Sequence, residues 1–430
     1  MQHATQLFTA VLLALLLAAD AGAQSMPYAA DLATPIGLEV DEQGWLWVAQ
    51  VGTGNDDGRI SVITPDGQTH LFLDGLGSVP EADGNAGTYH LRLIDGYLYF
   101  THGLGTVTAD GYLLRIDPAG FTPGSGPLST AAIDTVANVG AFALANGFAE
   151  NNLYDVAAGP EGDLFLADAG ANAVFRLDGA TGDLSVFATF DPVPNPTPIG
   201  PPVIQAVPSS LVFDGDRLYV GTFSGFPFAE GIARVYAVSL DGEVSVFQDG
   251  LSLVTDLALD PADGSLLALQ MGRFDPASGF IPETGSVVRL GAAVDTLLSG
   301  LMLPSGMHLA PDGDLFVASL IGLVLKLPLT APIAVEPADG AVPARFTLDQ
   351  NYPNPFNPAT TIRYELRQRA HVRLQVFDAL GREVATLVDG PRSAGAHEST
   401  WRAAGRPSGL YVYRLQAGGH TQHRTMVLAK

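Results

Sequence analysis

The sequence predicts an all-β protein, a six-bladed β-propeller followed by a small C-terminal Ig-like β-sandwich, and three observations carry that prediction. A Gly or Asp leading into a short apolar run recurs at Gly44, Gly96, Asp163, Asp216, Gly264 and Gly313, at spacings of 48 to 67 residues. A period near 50 with several strands per unit marks a propeller, because one blade cannot bury both faces of its sheet alone. In the clearest copy, Tyr154–Ala158, Leu164–Ala167 and Ala173–Leu177 read as successive strands. Between them stand the turn formers Gly-Pro-Glu-Gly-Asp and Asp-Ala-Gly-Ala-Asn. The third observation is a change of composition after residue 344, where a different strand pattern begins.

Taken in order, residues 1–23 read as a secretory signal peptide. The apolar run Leu7–Ala19 is too short to span a membrane, and Ala21-Gly-Ala23 offers a small-x-small cleavage site at Ala23. The propeller occupies 24–328. Its last copy, Pro304–Leu327, has three strands, so a segment near 27–33 is expected to supply the fourth and close the ring. Blade two carries two inserts, Thr101–Asp110 and Pro118–Ala145, and the second is expected to lie over one face of the ring. Asp191–Pro202 is too rich in proline for a sheet interior. Loops follow the second strands of blades four and five, at Thr222–Gly231 and Met271–Gly285. Residues 329–344 form a Pro/Ala-rich linker, and 345–430 form the C-terminal domain.

Cysteine is absent, which removes disulfides, thiolate metal sites and thiol nucleophiles. Residues 345–430 hold 12 Lys and Arg against 6 Asp and Glu, whereas the remainder holds 9 against 39. A propeller this acidic does not bind nucleic acid or an anionic membrane, both of which need basic stripes. Excess acidity serves solubility, and it also attracts cations, Ca²⁺ included.

The tail carries Leu348-Asp-Gln-Asn-Tyr-Pro-Asn-Pro-Phe-Asn-Pro-Ala-Thr-Thr-Ile-Arg-Tyr364, then Val376-Phe-Asp-Ala-Leu-Gly-Arg382 and Ser408-Gly-Leu-Tyr-Val-Tyr-Arg-Leu415. It resembles the C-terminal sorting domain of the type IX secretion system. The resemblance implies a bacterium with two membranes, engagement of that secretion machinery by 345–430, and release or attachment at the outer cell surface. The propeller resembles the ScyD/ScyE family, related to NHL-type propellers. Its likeness lies in Ala167-Asp-Ala-Gly-Ala-Asn-Ala-Val-Phe-Arg176, Phe223-Ser-Gly-Phe-Pro-Phe-Ala-Glu230 and Val254-Thr-Asp-Leu-Ala258. That resemblance implies a secreted propeller and no established reaction.

Aligning the six inner strands puts Gly37, His90, Asp155, Ser210, Asp256 and Gly306 in one column. Asp155, Asp256 and Ser210 would give a hard cation, Ca²⁺ first, a set of oxygen ligands, with His90 as a further ligand or general base. Propeller lactonases of the gluconolactonase type use such a ring. The structural alternative has the two aspartates satisfying backbone N–H groups and His90 hydrogen-bonded in the channel. Two residues further on, Glu39, Arg92 and His308 are candidates for ligand contact or for a buried ion pair. Phe226 and Phe228 form an apolar loop, either a ligand-binding rim or packing against the next blade. Asp168 and Asn172 read as a structural Asx-type turn. Neither a Gly-x-Ser-x-Gly elbow nor a nucleotide fingerprint is present. Three functions follow: a binding propeller for a small molecule or surface partner, a Ca²⁺-dependent lactonase or esterase, and a structural surface protein.

Overall fold

The computed structural model describes residues 27–80, 85–103, 110–276, 279–329, 346–354, 356–378, 383–406, 409–417 and 420–428. The predicted leader with its cleavage at Ala23, and the linker beyond Leu329, lie outside the described residues.

Six four-stranded antiparallel sheets make the propeller. Their inner strands are Pro35–Val40, Thr88–Ile94, Leu153–Ala158, Pro208–Phe213, Val254–Leu259 and Pro304–Leu309, and each packs on the next until the last meets the first. The recurring apolar runs are the second strands. They alternate side chains between the two faces of each blade, and every seam between blades is filled by its own apolar cluster. Trp47 and Phe72 meet Leu91 and Phe100 between blades one and two, for example, whereas Leu38 and Val48 meet Phe316 and Ala318 between one and six. Blade six takes its outer strand from the N-terminal side: Pro27–Ala29 pairs antiparallel with Leu323–Pro328. Tyr28 seats its ring 5.2 Å from that of Phe316 to hold the join.

The long insert of blade two is not a bare loop. It forms two short 3-10 turns, then Asp134–Asn138, the outer strand of blade two, and a helix at Val139–Ala145. Its alanines and Phe142 supply apolar surface that needs burial, and the seams offer it. Phe121 packs with Phe72 at 5.2 Å, and the helix turns Phe142 onto Phe175 at 5.5 Å and buries Val139 and Ala143. The proline-rich stretch stays outside the blades, as a two-stranded ribbon of Val193–Pro194 with Val203–Ile204.

The tail is a sandwich of two sheets. Phe346–Leu348, Ala359–Leu366 and Gly395–Arg402 form one, and Glu383–Arg392, Ala370–Asp378, Gly409–Ala417 and His420–Leu428 form the other. Phe356, Trp401 and Tyr413 are in the core between them. Its signature opens on Asn351, which donates from Nδ2 to Thr360 Oγ1 (2.8 Å) and to the carbonyl of Pro353 (3.0 Å), while its N–H donates to Tyr413 Oη (2.8 Å).

Candidate functional site

Each inner strand carries a register shift near its start, at Asp155 against Leu153 and at Asp256 against Val254, for instance. The shift turns the third residue of the strand toward the next blade. Asp155 accepts from Val156 N–H through Oδ1 (2.7 Å) and from Leu211 N–H of blade four through Oδ2 (2.8 Å). Ser210 accepts from Leu257 N–H of blade five (2.7 Å) and donates to Asp256 Oδ1 (3.0 Å). Asp256 accepts from Met307 N–H of blade six at Oδ2 (2.8 Å). Of the three remaining junctions, two carry glycine, because the backbones approach each other directly, and that between blades two and three carries His90. A Cβ on Gly306 would run into the carbonyl of Ile36, and one on Gly37 would lie 2.7 Å from His90 Cα. The column therefore stitches blade to blade, satisfying buried N–H groups that would otherwise be costly.

A second set of stitches was not anticipated. The residue just before the column is Ser or Thr in three blades, and Ser209 donates to the carbonyl of Val254 (2.6 Å), Ser305 to that of Pro35 (2.7 Å). Thr101 does the same across blades two and three, to the carbonyl of Tyr154 (2.7 Å). The aligned Ser209, Thr255 and Ser305 were visible in the sequence as a column of their own.

His90, Asp155, Ser210 and Asp256 are all wholly buried. Ligand atoms of His90, Asp155 and Asp256 lie within 4.8 Å of one another, so the sequence alignment did bring these three together. Among the described residues neither ring nitrogen of His90 has a hydrogen-bond partner, and Nδ1 stands 3.5 Å from Asp155 Oδ1. Burial pushes the Asp256 carboxyl up, and Asp155 adds to the effect while His90 and Arg92 oppose it. Burial, then Asp256 and Asp155, also push up the phenol of Tyr154, which keeps it neutral.

One layer on, Arg92 sets Nη2 3.6 Å from Asp155 Oδ1 and Nη1 4.0 Å from Glu39 Oε2, and His308 Nδ1 lies 3.5 Å from Glu39 Oε2. Burial alone would lower the basicity of Arg92, but Asp155, Glu39 and Asp256 raise it, so the guanidinium stays charged. These three side chains keep 17–19% exposure. The channel is thus approached from the end where the inner strands finish. Alternation places Ala157, Val212 and Ala258 at the same level on the opposite side.

Phe228 packs on Phe274 (4.9 Å) and Phe280 (5.4 Å) of blade five, while Phe226 remains 46% exposed. Asp168 accepts from Asn152 and Ala171 N–H (2.6 and 2.9 Å), and Asn172 from Val207 N–H (2.9 Å), so both are structural. Two surface depressions lie at the rim of blades three and four, lined by Val193, Pro194 and Arg234 with Asp191 or Asp249 beside them.

Residues 350–429 match the model of a secretion system C-terminal sorting domain. The tail is a type IX sorting domain. The protein is accordingly secreted and destined for the outer cell surface, with the sorting domain addressing it to the secretion machinery. Among the described residues no helix is long and apolar enough to cross a membrane. No match to the sequence is found among curated proteins. Among solved structures, the chain is similar to the PQQ-bound aldose sugar dehydrogenase of Streptomyces coelicolor. Identity is 15%, coverage 70% of this chain and 96% of that one, and the TM-score 0.48. It is similar to virginiamycin B lyase of Staphylococcus aureus at 13% identity, over 71% and 88% of the two chains, with a TM-score of 0.38. PorZ of Porphyromonas gingivalis, a surface component of the type IX secretion system, matches at 14% identity over 96% of this chain and 48% of its own, with a TM-score of 0.31. Likenesses this distant say nothing of activity.

Proposed function

We propose that the propeller is a binding module, delivered to the cell surface by its sorting domain, that takes a small polar molecule at the open end of its channel. The observation behind this reading is the half-polar, half-apolar ring of Glu39, Arg92 and His308 facing Ala157, Val212 and Ala258. A ligand with a charged and an apolar side suits such a ring. The resemblance of residues 30–328 to the ScyD/ScyE family belongs with this reading, since that name implies a secreted propeller and no established reaction. The lactonase or esterase reading draws no support from the site, because His90, Asp155 and Asp256 are wholly buried and cannot touch a substrate as they stand.

The test is a melting-temperature screen of the exported chain against small carboxylic acids, amino acids and sugars. A saturable rise with at least one compound, lost in Glu39→Gln and His308→Gln, is expected. A response that survives both substitutions would move the site elsewhere, and a flat screen would overturn the proposal.

A further inference from the structure

We infer that His90, Asp155 and Asp256 hold a divalent transition-metal cation of the Zn²⁺ type, sealed beneath the ligand-binding layer. The first argument is charge. Glu39, Asp155 and Asp256 bring three carboxylates to the channel, and Arg92 is the guanidinium that meets them. Asp155 and Asp256 are wholly buried, and carboxylate charge brought together out of water is costly unless a cation meets it. A divalent cation between the two carboxylates and His90 would meet that charge.

The second argument is His90. A wholly buried imidazole is ordinarily hydrogen-bonded at one nitrogen at least. Here both nitrogens lack a hydrogen-bond partner among the described residues, and the ring stands beside two carboxylates. The 3.5 Å from Nδ1 to Asp155 Oδ1 is long for a hydrogen bond. It fits the edge of a tetrahedral site, which at bonds of about 2.1 Å is about 3.4 Å.

The third argument is what the carboxylates have left to give. Asp155 Oδ1 and Oδ2 each accept one N–H, and Asp256 Oδ2 accepts one, so each oxygen retains a lone pair. Those N–H groups fix the orientation of the carboxylates, as outer-shell partners of metal ligands do. The donor set also bears on the metal. Ser210, an expected ligand, has its hydroxyl committed between Leu257 N–H and Asp256 Oδ1. What remains is one nitrogen and two carboxylates shut away from water, too few oxygens for Ca²⁺, which takes six to eight, and suited to a small imidazole-accepting ion.

The site is buried at the junction of blades two, three and five, so the metal enters as the ring forms. The experiment unfolds the full exported chain in chelator, refolds it with Zn²⁺, Mn²⁺ or Ca²⁺ singly, dialyses the native protein against EDTA and measures bound metal. About one Zn²⁺ or Mn²⁺ per chain is expected, retained through dialysis and released on unfolding, with no retained Ca²⁺. His90→Gln and Asp256→Asn, each checked for a cooperative melt, are expected to lose the metal, while Asp168→Asn keeps it. A Co²⁺-refolded wild type gives a readout independent of those variants, since a four-coordinate site with a nitrogen donor shows intense visible bands. Refolded wild type with less than about a tenth of a Zn²⁺ or Mn²⁺ per chain, Ca²⁺ as the retained ion, or a folded His90→Gln with its metal intact would each overturn the inference. A metal-free protein that still responds to an organic ligand would remove the metal and leave the binding proposal standing. A loaded protein with a flat ligand screen would do the reverse.

Discussion

Replacing Gly37 with alanine tests the idea that glycine serves the blade-one junction by allowing backbone contact. The backbone dihedral at Gly37 is one that other residues adopt, so the cost is purely steric. Its new Cβ would meet His90 Cα and the Tyr89 carbonyl oxygen at 2.7 Å and Leu91 N at 2.9 Å. Carbon atoms in good contact sit about 3.5 Å apart or more, so the inner strand of blade two must retreat by about 0.8 Å. All three obstacles are backbone in a strand that is bonded to its own blade and packed on blade three, which leaves no flexible side chain to yield. Overpacking of this kind costs about 3 kcal/mol, at the upper end of its usual range. For a propeller of about 300 residues that lowers the melting temperature by about 5 °C. Gly96→Ala is the control: its φ of +80° also disfavours alanine, but nothing lies within 4 Å of the new Cβ, and the cost is about 1 kcal/mol. The assay is thermal and urea unfolding of both variants. If Gly37→Ala melted no lower than Gly96→Ala, direct backbone contact would not be what keeps glycine there.

Three further outcomes are expected. Burial pushes the Asp168 carboxyl up to about 6, against N–H bonds from Asn152, Ala171 and Gly170 that pull it down. The folded state therefore holds that proton more tightly than the unfolded chain, and the stability this gives is full below pH 3.8 and lost as pH rises through 6. Wild type should lose about 3 kcal/mol relative to Asp168→Asn between pH 4 and pH 8, and parallel urea-stability curves across that range would contradict the assignment. Phe228→Ala removes a ring packed on Phe223, Phe274 and Phe280 and should destabilise the protein by about 3 kcal/mol, whereas Phe226→Ala, largely exposed, should cost under about 1 kcal/mol. Deleting residues 350–429 should abolish delivery to the cell surface, as read by fractionation and surface labelling.

Periodicity made the blades legible because each must bury its second strand in the same way, and the aligned column predicted which residues of distant blades converge. His90, Asp155 and Asp256 meet for that reason. The reach of their hydrogen bonds was not legible: that Asp155 would bond Leu211 N–H one blade away depends on the register shift that opens each inner strand, which leaves no mark in the sequence. The blade-two insert misled for a related reason. Pro118–Ala145 reads as a loop by composition, yet Asp134–Asn138 completes a sheet whose first three strands would otherwise expose an edge, so tertiary pairing overrode local preference. The sealing of His90 from solvent was equally invisible, because burial at a channel depends on what the other five strands place around it.

Surface attachment puts tension on the C-terminal end of the propeller, and the closing strand decides how that tension is met. Leu323–Pro328, the last strand before the sorting domain, is flanked by Asp314–Ser319 on one side and by Pro27–Ala29 on the other. Without Pro27–Ala29 it would be an edge strand, free to peel away one hydrogen bond at a time under a pull from the tail. With it, the strand is interior at Val324 and Leu325, and unravelling that begins at Pro328 meets a second ladder there. The three residues that close the ring thereby make the anchored end of the protein hard to unravel from outside.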